Sequence, residues 1–98
     1  MLGELLKHRV LGNPVRFGIM LYLLPREKVL FKDLQNVLNL TPGNLDSHLR
    51  ALEREGYVRI GKTLMDRPRT MVRITDRGRE ETKKHMENLK KVLSEMEK

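Results

Sequence analysis

Apolar side chains at the start of the chain recur at intervals of three and four residues. Leu2, Leu5, Leu6 and Val10 follow this spacing, which predicts a short amphipathic helix that ends near Gly12. The apolar side of such a helix needs another surface to cover it.

A second helix is predicted from Pro14 to Leu24. Asn13 is a favourable N-cap, proline is favoured as the first helical residue, and Pro25 is expected to end the helix. Apolar residues lie on nearly every side of this segment, so we expect a buried central helix.

Two shorter helices joined by a tight turn follow. The first spans Phe31 to Leu38. The second begins with a further cap-and-proline signal, Thr41 and Pro42, and ends at Gly56, where glycine can adopt the left-handed conformation. The apolar side of this second helix is marked by Leu45, Leu49 and Leu52.

The apolar period then changes from 3.6 residues to two. Val58 and Ile60 alternate with other residues, as do Val72 and Ile74, which predicts a β-hairpin. Its connection, roughly residues 64–69, is polar and too long for a two-residue turn.

A last helix of about twenty residues is predicted after the hairpin, capped by Thr75 or Asp76. It carries a C-terminal seam of apolar residues at intervals of three and four, namely Met86, Leu89, Leu93 and Met96. This seam and the apolar side of the first helix, Leu2, Leu5 and Leu6, have no evident place in the core. We expect both to meet a second copy of the chain; packing of the last helix on its own domain is the alternative.

Composition and charge narrow the class of protein. The 98 residues suffice for one hydrophobic core and include no cysteine, which excludes disulfides, thiolate metal sites and thiol nucleophiles. The net charge is +7, and residues 57–79 supply most of it, with seven Lys and Arg against two acidic residues. Such a segment predicts a polyanionic partner; a basic surface without a partner is the alternative.

No segment predicts membrane insertion or secretion. The longest mostly apolar stretch, residues 17–24, is far shorter than the roughly 20 residues that span a bilayer. The start of the chain lacks an apolar run followed by a cleavage site, so we expect a cytoplasmic protein.

Three blocks of the sequence carry a resemblance to a known family. They read NPVRFGIMLYL, LTPGNLDSHLRALEREGYV and RPRTMVRITDRGRE, and they extend from Asn13 to about Arg79. The chain resembles winged helix-turn-helix regulators of the MarR and ArsR type, especially the short archaeal and bacterial winged-helix DNA-binding proteins. The resemblance implies a mainly α fold with a small β-hairpin (α+β). Residues 13–75 would form the DNA-binding core, and the extra helices, within residues 1–12 and 76–98, would form a dimer.

The resemblance also implies a function, sequence-specific binding of double-stranded DNA by a homodimeric transcriptional regulator. We expect no cofactor or metal, since the cysteine-based metal site of some ArsR relatives is absent here. The helix at about residues 41–55 would enter the major groove, and the wing at about residues 62–70 would lie on the flanking backbone or minor groove. A non-specific architectural DNA binder and a protein-interaction module remain alternatives. An enzyme is the weakest hypothesis, because no paired carboxylates, nucleophile–base pair or glycine-rich phosphate loop occurs. Nothing in the sequence indicates a small-molecule effector.

The helix at residues 41–55 supplies the candidate base contacts. Opposite its three leucines lie small or hydrogen-bonding residues: Gly43, Asn44, Ser47, Arg50 and Arg54. Such a face can approach base edges in a major groove about 12 Å wide, where Asn suits adenine and Arg suits guanine or phosphate. The alternative is a solvated helix face, which we favour for Arg54 because it lies late in the helix between two glutamates.

Thr41 and His48 are candidates for phosphate contacts. Thr41 stands at a helix N-terminus, whose free N–H groups can hold a phosphate; capping alone is the alternative. His48 lies at the edge of the leucine side, where it either hydrogen-bonds within the fold or reaches a phosphate. A metal or catalytic role is not expected, because His8, His48 and His85 lie on three separate elements.

The wing supplies four basic candidates: Lys62, Arg67, Arg69 and Arg73. An arginine-rich tip suits both the DNA backbone and the minor groove. A solvated hairpin turn is the alternative, in which Asp66 serves as a turn-former.

Overall fold

Helices and short strands follow one another in the computed structural model, which describes residues 2–64 and 66–97. The elements are α1 (Leu2–Lys7), α2 (Pro14–Arg26), β1 (Lys28–Leu30), α3 (Phe31–Leu38), α4 (Pro42–Arg54), β2 (Val58–Leu64), β3 (Pro68–Ile74) and α5 (Asp76–Met96). The predicted mainly α winged-helix architecture is confirmed.

The first helix is shorter than predicted. It ends at Lys7, because the side chain of His8 replaces the helical bonds: its Nδ1 accepts from the N–H groups of Val10, at 3.2 Å, and Leu11, at 2.9 Å. The chain turns there, and this turn carries Val10 and Leu11 into the core.

The second helix begins as predicted and ends later. The Asn13 side chain accepts from the backbone N–H groups of Val15, at 2.9 Å, and Arg16, at 3.1 Å. The prediction that Pro25 ends the helix is wrong, since the helix continues through it to Arg26. A proline in the last turn removes only one backbone bond, so it is tolerated there. Ile19, Met20 and Leu23 are the buried residues of this helix.

The sheet has three antiparallel strands in the order β1-β3-β2, so the prediction of a hairpin alone is incomplete. Strand β1 pairs Val29 with Val72 of β3, and β2 pairs Ile60 with the same Val72. The hairpin strands are longer than predicted, since β2 extends to Leu64 and β3 begins at Pro68. The inner side of the sheet packs on the helices.

One hydrophobic core joins the helices to the inner side of the sheet. The three leucines of α4 are fully buried, as predicted. The buried core residues are Val10, Leu11, Ile19, Met20, Leu23, Leu34, Leu45, Leu49, Leu52, Tyr57, Val58, Val72 and Ile74. Complete burial of three leucines on one side fixes which side of α4 faces solvent.

The last helix is capped by Thr75, whose hydroxyl accepts from the Gly78 N–H at 3.0 Å. This helix packs against α1 and α2 of its own chain. Its buried residues are Gly78, Thr82, His85 and Val92, a different set from the C-terminal seam. Own-domain packing, the alternative considered for this helix, therefore holds for one side of it.

Candidate nucleic-acid interface

The N-terminus of α4 is capped by the Thr41 side chain. Its Oγ1 accepts from the Asn44 N–H at 3.1 Å, and Pro42 occupies the first turn, where a missing N–H costs no helical bond. The capping role predicted for Thr41 is confirmed. Thr41 is also exposed, so its side of the helix end is accessible to a ligand.

The exposed side of α4 carries the predicted candidate residues. Exposed in the structure are Gly43, Asn44, Ser47, Arg50 and Arg54. No large apolar or aromatic side chain stands among them, so the helix backbone can approach a flat or grooved partner closely. Asn and Ser at this position offer both donors and acceptors to base edges.

Arg50 is held along the helix by two acidic neighbours. Its Nε lies 3.5 Å from Oδ1 of Asp46, and its Nη1 lies 3.5 Å from Oε1 of Glu53. Exposed pairs of this kind contribute little free energy, so Arg50 can exchange them for a phosphate or a guanine.

His48 lies at the boundary between α4 and α2. It is half-buried, and its Nδ1 stands 3.4 Å from Nη1 of Arg16. Burial, followed by the positive charge of Arg16, lowers the pKa of His48, so the ring is neutral near pH 7. This geometry supports the in-fold role; a phosphate contact by His48 stays a prediction.

The C-terminal end of α4 is tied to two distant segments. Both guanidinium nitrogens of Arg9 donate to the Glu55 carboxylate, with Nη2 2.7 Å from Oε2, and this bond lowers the pKa of Glu55. Nε of Arg77 donates to the Glu55 carbonyl at 2.9 Å. Gly56 then takes φ +78°, the left-handed conformation predicted for it, and its carbonyl accepts from the Thr75 hydroxyl.

These ties were not predicted from the sequence. Arg9 and Glu55 stand 46 residues apart, and no local pattern relates them. Nε of Arg16 likewise donates to the Val10 carbonyl at 2.8 Å, and its Nη1 lies 3.4 Å from Nδ1 of His48 in α4. Through Arg16, the segment before α2 therefore supports α4. Arg54 borders the groove of about 180 Å³ between these arginines and Glu55.

The wing candidates differ in how firmly they are held. Arg67 is exposed and makes no hydrogen bond or ion pair within residues 2–64 and 66–97. Arg69 is half-buried, and its Nη2 lies 3.8 Å from Oδ1 of Asp66 across the turn. Nζ of Lys62 lies 3.2 Å from Oγ1 of Thr70. Among these three basic residues, Arg67 therefore has the fewest contacts within the described part of the chain.

Arg73 stands apart from the other three wing candidates. It pairs in register with Arg59, close to the end of the hairpin where Val58 meets Ile74, whereas the tip follows the Leu64–Pro68 pair. The structure thus does not bring Arg73 to the tip.

A groove of about 590 Å³ separates the wing from α3. Lys32 and Asn36 line its α3 side, and Arg67 lines its wing side. Lys32 was not predicted as a site residue, because a single lysine on a short amphipathic helix resembles any solvated position.

The terminal helices expose apolar side chains. The exposed fractions are 51% for Leu2, 65% for Leu6, 49% for Leu93 and 74% for Met96. The other residues predicted for the dimer contact, Leu5, Met86 and Leu89, are half-buried. Because α1 packs along α5, these side chains belong to two adjoining helices.

Two histidines that are far apart in sequence meet beneath α1. The ring centroids of His8 and His85 are 5.0 Å apart, and His85 also packs edge-on against Phe17 at 4.6 Å. The three histidines lie on separate segments of the fold, as expected, but two of these segments bring His8 and His85 into contact. Among the described residues, no group of three or more His, Asp or Glu is placed to hold a metal ion.

The family that matches the chain is described as the winged helix DNA-binding domain, and the match covers residues 15–93. An uncharacterised protein of Methanocaldococcus jannaschii is 38% identical over 72 residues, which make up 72% of this chain and 78% of that protein. The family match includes α2 to α4, the sheet and most of α5.

Solved structures of similar proteins extend this comparison. A transcriptional regulator homologue from Pyrococcus horikoshii is 56% identical, with a TM-score of 0.92, over 97% of this chain and 95% of that one. The transcriptional regulator BldR from Sulfolobus solfataricus is 27% identical, with a TM-score of 0.73, over 84% of this chain and 58% of that one. A MarR family protein from Bacillus stearothermophilus is 18% identical with a TM-score of 0.77, over 95% and 64% of the two chains, which shows a shared fold.

Proposed function

The chain belongs to the winged helix DNA-binding domain family, and from this premise we propose that it is a homodimeric transcriptional regulator that recognises a specific double-stranded DNA sequence. In this proposal α4 enters the major groove, and the wing lies on the flanking backbone or minor groove. The Pyrococcus protein named as a transcriptional regulator homologue supports the regulatory role.

The observation that carries the proposal is the two-sided character of α4. Its three leucines are buried completely, while its opposite side exposes Asn44 and Ser47 with small neighbours. Ties at both ends hold the helix in place before it binds, through the Thr41 cap and the Arg9–Glu55 pair. A helix fixed in this way loses little conformational entropy on binding, which favours affinity and a defined register.

The wing supports the proposal through charge. Arg67 is exposed and unpaired within the described residues, and Lys62 and Arg69 stand near it on the hairpin. Contacts from these residues to phosphates would raise affinity for every sequence, whereas contacts from α4 would select among sequences. A protein-interaction module has little use for such a cationic tip.

The homodimer is supported by the apolar surface on the terminal helices. Four of the seven large apolar side chains exposed among the described residues lie on α1 and α5. A symmetric pairing of these helices would cover the surface and relate the two α4 helices by a two-fold axis. Pairing of this kind matches the two half-sites of a pseudo-palindromic DNA sequence.

Selection of bound sequences from random duplex DNA tests the proposal. The expected result is enrichment of two inverted half-sites whose centres lie about one helical turn, ~34 Å, apart. Binding without enrichment would favour the non-specific architectural alternative. Absence of DNA binding would reject the proposed function and favour the protein-interaction module.

A matched pair of variants sharpens this selection. Asn44→Ala should relax the preference at particular base pairs of each half-site, at a cost of about 1–3 kcal/mol for a bidentate contact. Ser47→Ala should do the same at other base pairs. The control is Ser94→Ala, which removes an exposed hydroxyl from α5 instead of α4. An unchanged preference in both α4 variants would reject direct readout by this helix.

A further inference from the structure

The sheet brings three basic residues into one row on its outer side. Arg73 of β3 pairs with Lys28 of β1 on one side and with Arg59 of β2 on the other. Side chains at paired positions of neighbouring strands point to the same side of a sheet. The adjacent position of β3, Val72, is fully buried and points into the core, so the row points away from it. We name Lys28, Arg73 and Arg59 the cation row.

The cation row carries more positive charge than the acidic residues described near it can balance. All three members are exposed, and none of their side chains makes a hydrogen bond or an ion pair within residues 2–64 and 66–97. Glu27, beside Lys28, faces Arg79 instead, with Oε1 3.8 Å from Nη2. Asp76 borders a groove of about 450 Å³ that is lined by Arg59, Arg73 and Arg77, so one carboxylate faces three guanidinium groups.

Such a row is unfavourable in the isolated protein. Like charges at directly opposed positions of antiparallel strands repel and destabilise the sheet. Neighbouring strands lie about 4.8 Å apart, so three cations are gathered along roughly 10 Å. A polyanion bound across the strands would make the electrostatic contribution of these three cations favourable.

The cation row is separate from the interface described above. The leucines of α4 pack in the same core as the inner side of the sheet, whereas the row lies on the outer side. Along the hairpin, the row crosses β2 at Arg59, one position from the end, while Arg67 lies beyond the opposite end. Contacts by the row would therefore add to those of α4 and the wing tip.

We infer that the cation row is a second DNA-binding surface, which holds the phosphate backbone of duplex DNA outside the segment contacted by α4 and the wing. Duplex DNA carries one negative charge per about 1.7 Å of its axis, so a segment as long as the row presents several phosphates. This inference rests on the proposed DNA binding. The second segment is the flank of the same bound duplex.

The test compares two variants of equal net charge. Lys28→Gln with Arg59→Gln removes two members of the row and leaves Arg73 in place. The control, Lys83→Gln with Lys91→Gln, removes two exposed lysines of α5. Affinity is measured at 50 and 200 mM salt on a duplex of about 20 base pairs that holds only the two half-sites, and on one of about 60 base pairs.

The expected result is a difference confined to the long duplex. There, loss of two phosphate contacts should lower the slope of log affinity against log salt by about 1.8. The weakening between 50 and 200 mM salt should then be about tenfold smaller for the row variant than for the control. On the short duplex the row variant and the control should have equal slopes. The inference would be overturned if the row variant and the control had equal slopes on the long duplex. It would also be overturned if the row variant lowered the slope as much on the short duplex as on the long one.

Two further arms separate the outcomes. A second, differently labelled duplex mixed with the complex should not be captured; capture would show that the row holds another molecule instead of the flank and would overturn the inference. The parent protein on the short duplex tests the proposed function by itself: if the parent fails to bind there, that function is rejected. If the parent binds and the row variant behaves as the control does, only the inference fails.

Discussion

Gly78 lies where α5 packs closely against Met20 and the backbone of Tyr57. A Cβ atom there would lie 2.9 Å from Cε of Met20 and closer still to the carbonyl oxygen of Tyr57. Backbone cannot move aside as a flexible side chain can, so Gly78→Ala should lower the free energy of unfolding by about 3 kcal/mol.

Gly18, in the middle of α2, provides the matched control for this substitution. A Cβ atom there meets no heavy atom within 4 Å, so Gly18→Ala should raise the free energy of unfolding by about 0.5–1 kcal/mol. Urea unfolding of both variants measures the two changes. Similar values for the two alanines would show that α5 does not approach Tyr57 as described.

The pH dependence of stability should reflect His85. Burial, followed by the charge of His8, lowers its pKa, while a hydrogen bond to the backbone of Leu11 acts in the opposite direction. Phe17 and Glu81 are the other groups that face this pair, and Nε2 of His8 lies 3.8 Å from Oε2 of Glu81. A base whose pKa is lowered in the folded state binds fewer protons there than in the unfolded chain.

The free energy of unfolding should therefore be highest above the unfolded-state pKa of about 6.5 and should fall as the pH drops below it. His48 contributes in the same direction, because its pKa is lowered too. Urea unfolding at about pH 7.5 and about pH 5 measures the effect. His85→Gln should reduce this pH dependence whatever its stability at pH 7.5; an unchanged dependence would contradict the assignment.

At the scale of single elements, the wing should act through charge alone. Arg67→Ala with Arg69→Ala should weaken DNA binding about equally for all sequences and lower the salt slope by roughly one unit for each lost phosphate contact. Lys83→Ala with Lys91→Ala is the control of equal charge. Titration at several salt concentrations measures both, and retained affinity in the wing variant would remove the wing from the mechanism.

The elements that could be predicted from the sequence are those whose signals are local. The leucines of α4, the Asn13 and Thr41 caps and the Gly56 ending each depend on neighbours within four residues. They therefore predict the central helices and the exposed side of α4 correctly. The exposed candidates on α4 follow from the same helical period, without knowledge of the fold.

Elements that depend on distant partners could not be predicted. Strand β1 has three residues, too few to display an alternating pattern, and its pairing with β3 joins positions more than 40 residues apart. The buried side of α5 carries Thr82 and His85, whose polar types predict exposure. The cation row was not predicted, because its members lie on three different strands and come together only when the sheet forms.

For the molecule as a whole, the central structural expectation is a dimer through α1 and α5. Removing all residues after Arg79 is a poor test, because Thr82, His85 and Val92 are buried against the same chain. A point substitution in the exposed part avoids this problem. Leu93→Glu should yield a monomer, because an unpaired carboxylate would be buried at the dimer contact.

Val37→Glu is the control for this dimer prediction, since Val37 is 55% exposed on α3, away from the terminal helices. Sedimentation at micromolar concentration distinguishes the two states. The parent and Val37→Glu should sediment as dimers, and Leu93→Glu as a monomer. A monomeric parent would reject the dimer, and a dimeric Leu93→Glu would place the contact elsewhere on the surface.

The central claim is that one dimer places two α4 helices in two major grooves of one duplex. The most direct measurement compares affinity for the selected site with affinity for the same site lengthened by about five base pairs between its half-sites, which turns one half-site to the opposite side of the duplex. We predict a fall of about 10²-fold or more, to the affinity of a single half-site, because the linked second contact is lost. Equal affinity for the two spacings would contradict the claim.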